Sequence, residues 1–137
     1  MTRWWDKYSM IPFQDLGRDE TGCDCYGLVR LIYEREVGVE LPALCFYENT
    51  KQREVLGDAI SEQPALLGFE PVSKDAVEPF DVLVISHAGW ACHLGIVIND
   101  RLCIHTEAKK GVVVEEFRRP HLWPRVKEAY RCQNKRK

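Results

Sequence analysis

The 137-residue chain has little of what marks membrane, secreted or nucleic-acid-binding proteins. No stretch approaches the roughly 18 consecutive apolar residues that a membrane-spanning helix requires. Residues 1–8 contain neither the apolar run nor the small-residue cleavage site of a signal peptide. The formal net charge is only −2, so charge favours neither nucleic acid nor a membrane as a partner. We therefore expect a protein without a signal peptide, located in the cytoplasm of the cell that produces it.

Repeats, low-complexity segments and linkers are also missing. Because 45% of the residues are apolar, the chain can bury a core of its own. The last five residues, 133–137, are polar and mostly basic, which is typical of a solvated tail. The sequence therefore predicts one domain over residues 1–132, followed by a basic tail.

Cysteine is comparatively plentiful, with six residues at positions 23, 25, 45, 92, 103 and 132. Because we expect no signal peptide and the chain has an ample aliphatic core, we expect reduced thiols rather than a disulfide framework. A zinc site is an alternative, since the pairs at 23/25, 92/93 and 103/105 could supply Cys and His ligands. However, Cys-x-Cys is tighter than the usual ligand spacing, and residues 92 and 93 would point to opposite faces of a strand. We predict no metal and no cofactor.

Helical periodicity is confined to the first half of the chain. Residues up to 22 are predicted to be loop-like, because proline and glycine interrupt them. Over residues 25–37 apolar residues recur at helical spacing, with Asp24 as the N-cap and Gly38 as the end of the helix. A second helix is predicted over residues 50–60.

Strand-forming runs dominate the second half. They are predicted at residues 80–86, 93–98, 101–105 and 112–114. Turn-forming residues separate them at 99–100 and 110–111. A helix followed by consecutive antiparallel strands predicts an α+β fold.

Cys25 stands directly after Asp24, at the start of the first predicted helix. A cysteine attacks as the thiolate, so the thiol pKa has to fall below the free value of about 8.5. Unpaired N–H groups and the dipole at a helix start lower a thiol pKa, and an adjacent imidazolium lowers it further. Cys25 is therefore the candidate nucleophile, with a buried structural helix cysteine as the alternative.

A nucleophilic cysteine needs a base, and the base needs a group that orients it. His93 opens one predicted strand and His105 closes the next. If the loop between the strands comprises residues 98–100, His93 lies opposite His105, whereas a two-residue loop would put them on opposite faces. In the first register His105 can hold the His93 ring by a hydrogen bond, as the third member of a triad does. A satisfied core histidine is the alternative for His105.

Four short strings resemble motifs of the NlpC family, papain-like peptidases that act on bacterial cell-wall peptides. They are Asp24-Cys25-Tyr26-Gly27-Leu28-Val29, Pro79-Phe80-Asp81-Val82-Leu83 (the family's Pro-Gly-Asp strand), His93-Leu94-Gly95-Ile96-Val97-Ile98 and Ile104-His105-Thr106. Their order and spacing fit the family across roughly residues 8–130. The resemblance implies a papain-like fold with Cys25 as nucleophile, His93 as general base and then acid, and His105 as the orienting residue.

Two positions depart from the family pattern. In the family the residue after the nucleophile is usually Ser, and in this chain it is Tyr26. The family also usually has a tyrosine whose hydroxyl lies near the thiol, and in this chain Phe13 stands at that position. The resemblance implies that Asp24 helps to receive the free amine of the stem peptide, and adjacency suggests Gln14 as a substitute for the missing hydroxyl. An aromatic at position 26 and the upstream Gly-Arg pair resemble members encoded by phages and prophages and associated with tail tips. We expect the substrate site to involve Asp24, Tyr26, Phe13, Gln14 and Arg18.

The implied reaction is hydrolysis of an amide in the peptidoglycan stem peptide, typically between D-glutamate and diaminopimelate, without metal or organic cofactor. Phage tail-tip proteins are the implied partners, which would incorporate the protein into a virion tail.

Two alternatives to this function stay open. One is a catalytically silent tail-assembly protein with the same fold, and the other is a papain-like amidase or acyltransferase with a different acyl substrate. The reactivity of Cys25 distinguishes the silent form from both active ones.

Overall fold

A helix and a six-stranded antiparallel sheet form the framework of the chain. The computed structural model describes residues 3–14, 18–19, 21–41, 68–87, 90–107 and 110–133. The helix predicted over residues 50–60 and all but the first residue of the predicted basic tail lie outside these ranges. The packing of the helix on an antiparallel sheet confirms the predicted α+β class.

The helix α1 spans Cys25–Ile32 and continues as one π-helical turn, Tyr33–Val37. It begins where the buried carboxylate of Asp24 accepts a hydrogen bond from the backbone N–H of Gly27 at 2.8 Å. It ends at Gly38, whose φ of 80° is a conformation that glycine adopts readily. The first predicted helix and both of its predicted ends are therefore confirmed. Within the described ranges, no helix has the length and apolar character that crossing a membrane requires.

In the ranges that the structure describes, eight strands accompany this helix. A short hairpin of β1 (Arg18–Asp19) and β2 (Gly22–Cys23) precedes it. The strands of the large sheet are β3 (Phe69–Val72), β4 (Val82–His87), β5 (Trp90–Val97), β6 (Leu102–Glu107), β7 (Gly111–Glu116) and β8 (Val126–Cys132). Their order in the sheet is β3-β8-β4-β5-β6-β7, and every neighbouring pair is antiparallel. Strands β4 to β7 correspond to the four predicted runs.

The structure also contains elements that the sequence did not predict. The N-terminal region expected to be loop-like contains a 3₁₀ turn, Trp4–Tyr8, as well as the β1–β2 hairpin. Strand β3 carries Pro71, which a sheet tolerates at its edge. In β8 the buried residues are Val126, Ala129 and Cys132, at a spacing of three. The strand therefore lacks the alternation of apolar and polar residues by which a sequence predicts a strand. These two strands form because they pair with each other and β8 pairs with β4.

Apolar side chains cover both faces of the large sheet. On one face α1 packs with strand residues that include Leu94, Ile96 and Ile104. A second buried cluster comprises Leu83, Ile85, Val97, Cys103, Phe117, Leu122, Val126 and Ala129. Because both faces are buried, a slip of one residue in any strand would exchange its two sets of side chains. The register of the sheet is therefore strongly specified.

Asp81 joins the start of β4 to β8. Its side chain is fully buried, and the guanidinium of Arg131 donates hydrogen bonds to both carboxylate oxygens, at 3.0 and 2.9 Å. The backbone N–H of Glu78 donates a third, at 2.8 Å. A buried carboxylate is tolerated only when it is paired in this way. The Asp of the Pro-Phe-Asp string therefore has a structural role.

Phe80 precedes this aspartate and has a φ of 73°, a left-handed conformation that residues other than glycine seldom adopt. Its N–H donates to the carbonyl of Val97 at 2.8 Å, and its own carbonyl accepts a hydrogen bond from the hydroxyl of Tyr33. Its ring stacks on Trp4, with ring centroids 5.0 Å apart. These contacts hold the unusual backbone conformation and connect the N-terminal turn, the helix and β4.

Candidate active site

The turn between β5 and β6 determines how the two candidate histidines face each other. The Asn99 side chain accepts hydrogen bonds from the backbone N–H groups of Arg101 and Leu102, both at 2.8 Å. The N–H of Ile98 donates to the carbonyl of Leu102 at 2.8 Å, so residue 98 continues the ladder. The loop therefore comprises residues 99–101 instead of the expected 98–100, because the asparagine closes its own turn.

This turn shifts the register of β5 and β6 by two residues from the expected one. Val97 lies opposite Cys103, and the same register places Gly95 opposite His105. In agreement, a Cβ on Gly95 would lie 3.5 Å from the Cβ of His105. His93 therefore does not lie directly opposite His105, as it would if the loop comprised residues 98–100. Because a shift of two residues keeps every side chain on its face, the two histidines meet on a diagonal instead.

His93 and His105 are in direct contact. Nε2 of His93 lies 2.8 Å from Nδ1 of His105, and the two ring planes are nearly perpendicular, at 84°. His105 is only 2% exposed, whereas His93 is partly buried. This is the contact by which an orienting residue would hold a catalytic base. The catalytic roles of the two residues stay predictions.

A carboxylate extends this pair on the side away from His93. His105 lies opposite Val113 in β7, so Glu115, two residues further on, projects from the same face. Its Oε2 lies 2.5 Å from Nε2 of His105, and its Oε1 lies 2.8 Å from Nε2 of the exposed His121. Burial alone would raise the pKa of Glu115, but hydrogen bonds from His121 and His105 outweigh it and lower the pKa below its ordinary value. Glu115 is therefore an anion at neutral pH.

Sequence reasoning identified neither Glu115 nor His121 as part of this site. The strand predicted over residues 112–114 ends before Glu115, whereas β7 continues to Glu116. The signal in the sequence is an acidic residue two positions after Val113, on the face that a longer strand would present to His105. That signal becomes visible only when the register of β6 and β7 is known.

Cys25 is the first residue of α1, and α1 packs against β5 and β6, the strands that carry the two histidines. The start of a helix offers unpaired backbone N–H groups and the positive end of the helix dipole. The Cys25 side chain is buried, with 3% exposure. The structure thus places the candidate nucleophile and base on elements in contact, and their pairing in catalysis stays a prediction.

Three of the five predicted substrate-site residues lie on segments beside Cys23. Phe13 forms a parallel bridge with Cys23, and the N–H of Gln14 donates to the Cys23 carbonyl at 3.1 Å. Arg18 pairs with Cys23 in the hairpin of β1 and β2. Because Cys23 is two residues before Cys25, the backbone of all three lies near the start of α1. Their contacts with a substrate stay predictions.

The other two predicted substrate-site residues, Asp24 and Tyr26, lie in the interior. Asp24 has no exposed surface and caps α1 through the N–H of Gly27. Tyr26 is 2% exposed and belongs to the apolar cluster around α1. Both side chains therefore have structural contacts in the protein without substrate, and substrate binding by them stays a prediction.

The zinc alternative includes Cys103, which the structure buries completely. Burial, together with the negative charge of Glu115, raises the pKa of the Cys103 thiol to about 12. Among the described residues, the potential ligands that lie within 4.8 Å of one another are His105, Glu107 and Glu115, and no described cysteine belongs to this group.

A cysteine at the start of a helix that packs on a histidine-bearing antiparallel sheet is the arrangement of the papain-like α+β class. The model of the NlpC/P60 family matches residues 11–131 of the chain. The chain belongs to the NlpC/P60 family, which confirms the family-level resemblance found in its motifs.

Curated relatives share part of their length with this chain. The murein DD-endopeptidase MepS/murein LD-carboxypeptidase of Escherichia coli K12 is 24% identical over 115 residues, which are 84% of this chain and 52% of that protein. The same protein from Escherichia coli O157:H7 matches equally. The chain thus spans about half the length of the curated relatives it matches.

Solved structures of family members share the fold. The NlpC/p60 domain of the peptidoglycan hydrolase SagA superposes with a TM-score of 0.63 at 19% identity, over 91% of this chain and 90% of that one. A protein of the same family from Bacillus cereus ATCC 10987 superposes with a TM-score of 0.60 at 21% identity, over 87% of this chain and 36% of that one. At such identities the similarity establishes the fold.

Brief treatment with limiting iodoacetamide near neutral pH should label Cys25 at least about tenfold faster than Cys132, because a helix start favours the thiolate and the predicted pairing with His93 would favour it further. Cys132 is a matched control, since it has the same 3% exposure but ends a strand. Cys103 should stay unlabelled because its thiol remains protonated. Peptide mapping by mass spectrometry measures the three rates. Labelling of Cys132 first, or of Cys45 first, would contradict the nucleophile assignment.

Proposed function

We propose that the protein is a cysteine peptidase that hydrolyses an amide bond in peptidoglycan stem peptides. The observation that carries the proposal is the 2.8 Å contact between the rings of His93 and His105, on strands against which a helix beginning with Cys25 packs. A nucleophile, a base and a group that orients the base are the parts of a cysteine hydrolase. The family match and the murein endopeptidase of E. coli support peptidoglycan as the substrate.

The reaction proceeds in two steps. The thiol of Cys25 gives its proton to His93, and the thiolate attacks the amide carbonyl while a backbone N–H at the start of α1 stabilises the oxyanion. The His93 imidazolium then gives this proton to the leaving amine, and the C–N bond breaks to leave a thioester on Cys25. His93 next takes a proton from water, the hydroxide attacks the thioester, and the acid is released as the thiol forms again. His105 holds the His93 ring throughout.

The bond that we propose is the one between D-glutamate and diaminopimelate. The proposed substrate-site residues are Asp24, Tyr26, Phe13, Gln14 and Arg18, with Asp24 close to the amine of the stem peptide. We further propose that the protein is made in the cytoplasm and associates with phage or prophage tail-tip proteins. The aromatic Tyr26 and the Gly-Arg pair that ends at Arg18 support this subgroup.

Incubation with purified peptidoglycan, followed by mass spectrometry of the soluble muropeptides, tests both the activity and the bond. The wild-type protein should release fragments cut between D-glutamate and diaminopimelate, and Cys25→Ala should release none. Cleavage of a D,D cross-link, the activity in the name of the E. coli relative, would overturn the proposed bond but not the hydrolase. Absence of any product from the wild-type protein would overturn the hydrolase and favour the silent tail-assembly alternative.

A further inference from the structure

We propose that Glu115 is a positioning residue that fixes the protonation pattern of both histidines, so that Nδ1 of His93, and not Nε2, is the basic atom that accepts the thiol proton. The catalytic consequence rests on the proposed peptidase function. The protonation pattern itself does not, because it is a property of the folded protein without substrate.

Both ring nitrogens of His105 are used. Nδ1 lies 2.8 Å from Nε2 of His93, and Nε2 lies 2.5 Å from Oε2 of Glu115. The His105 side chain is 3% exposed, so these partners replace water almost completely. The second oxygen of Glu115 contacts Nε2 of His121 at 2.8 Å, which restrains the rotation of the carboxylate. Four side chains on one side of the sheet thus form a continuous hydrogen-bonded chain.

The direction of the hydrogen bonds follows from the carboxylate. An ionised carboxylate only accepts hydrogen bonds, so Nε2 of His105 carries the proton and donates it. In a neutral His105 the other nitrogen, Nδ1, then has a lone pair and accepts from Nε2–H of His93. A neutral His93 that is protonated on Nε2 has its lone pair on Nδ1. Glu115 therefore determines, two hydrogen bonds away, which atom of His93 is the base.

The same chain favours the charged intermediate of the reaction. When His93 accepts the thiol proton it becomes a cation that still donates through Nε2 to His105. The anionic Glu115 then lies beyond His105 and attracts this charge in partly buried surroundings, where electrostatic attraction is stronger than in water. No proton has to pass along the chain for this effect to operate.

The distance between His105 and Glu115 fits a shared proton better than a bound metal ion. His105, Glu107 and Glu115 are the potential ligands in this region. Two ligand atoms of a tetrahedral zinc ion, each about 2.0–2.1 Å from the metal, lie about 3.3 Å apart. The 2.5 Å separation between His105 and Glu115 is shorter and is that of a hydrogen bond to an ionised group.

NMR correlation of the ring nitrogens with the carbon-bound ring protons reports the tautomer of each histidine in ¹⁵N-labelled protein. In the wild type we expect His105 as a single Nε2–H tautomer and His93 with a proton on Nε2, with slow exchange of the His105 Nε2 proton with water. In Glu115→Ala this exchange should become at least about tenfold faster and at least one ring should become a tautomer mixture. Glu115→Gln should keep the single tautomers, because its amide oxygen still accepts. An unchanged spectrum of the histidines in Glu115→Ala would overturn the inference.

Glu107→Ala is the matched control. Glu107 lies in the same group but is 40% exposed and pairs with Lys110 at 3.7 Å. Its removal takes away the same charge without a hydrogen bond to His105, so the tautomers should match those of the wild type. If Glu115→Ala fails to fold, Glu115→Gln decides: a neutral amide holds the Nε2 proton of His105 less strongly than a carboxylate does, so this proton should exchange with water faster than in the wild type. An unchanged exchange rate overturns the inference.

Enzyme kinetics separate this inference from the proposed function. If the wild type cleaves peptidoglycan peptides, Glu115→Ala should lower kcat about tenfold with little change in KM, because the lost interaction acts on the chemical step. A changed KM with unchanged kcat would contradict a positioning role. If the wild type is inactive but the tautomers respond as expected, the peptidase proposal fails while the protonation pattern is upheld.

Discussion

Replacement of Cys25 by alanine should lower the release of muropeptides by more than about a thousandfold, because no other group in the site can form the thioester. Among the other described cysteines, Cys103 stays protonated because its thiol pKa is raised to about 12. Cys132 ends strand β8, and Cys23 lies in β2 instead of at the start of the helix. Without a nucleophile only substrate binding and oxyanion stabilisation are left, and these contribute far less than the covalent route. Mass spectrometry of soluble fragments at several times measures the loss.

Cys132→Ala is the matched control for this substitution. It removes a thiol with the same 3% exposure but leaves the start of α1 unchanged, so its activity should stay within about threefold of the wild type. Circular dichroism and thermal unfolding should show that Cys25→Ala keeps the fold. Activity of Cys25→Ala within tenfold of the wild type would refute the nucleophile assignment.

His93→Ala should reduce hydrolysis nearly as much as loss of the cysteine. The substitution removes the group that forms the thiolate and also the acid that protonates the leaving amine. Iodoacetamide labelling of Cys25 near neutral pH should slow in the same variant, since a neighbouring imidazolium favours the thiolate. The two measurements together distinguish loss of the base from a defect in substrate binding, which would leave the labelling rate unchanged.

A graded series at position 105 completes this prediction. His105→Ala should be milder than His93→Ala by roughly one to two orders of magnitude, because an orienting residue takes no proton itself. His105→Asn should be more active than His105→Ala, since an amide can accept from His93 and also donate to Glu115. His87→Ala should cause little loss, and His121→Ala should cost no more than Glu115→Ala, because His121 contacts only the second oxygen of this carboxylate. Loss of activity in either of these, with His93→Ala active, would show that the base is another histidine.

The fold was predictable from the sequence where a single segment carries its own signal. The helix over residues 25–37 has an apolar face, a capping Asp24 and a terminating Gly38, and all three features are local. Strands β3 and β8 lack such a signal, because their stability comes from pairing with residues far away in the chain. Asp81 and Arg131 illustrate the difference: each is an ordinary charged residue in the sequence, and only the fold brings them together.

The candidate site was likewise predictable only where the sequence carries a local signal. That His93 and His105 share a face follows from an odd number of loop residues, and this held although the loop is 99–101 rather than 98–100. Their diagonal contact depends on the Asn99 side chain, whose hydrogen bonds the residue pattern does not reveal. Glu115 could not be assigned, because its place beside His105 depends on how far β7 extends and on its register with β6.

The backbone conformation of Phe80 makes this residue dependent on Trp4. Its φ of 73° costs a residue other than glycine about 1–2 kcal/mol, and the stacking of its ring on Trp4 is worth about 0.5–1.5 kcal/mol in return. The two terms are similar in size, so a phenylalanine at this position is tolerable chiefly in a chain that also has the tryptophan. We therefore expect the effects of substitutions at positions 4 and 80 on stability to be non-additive. With glycine at position 80, the loss of the Trp4 ring should cost less stability than it does beside Phe80.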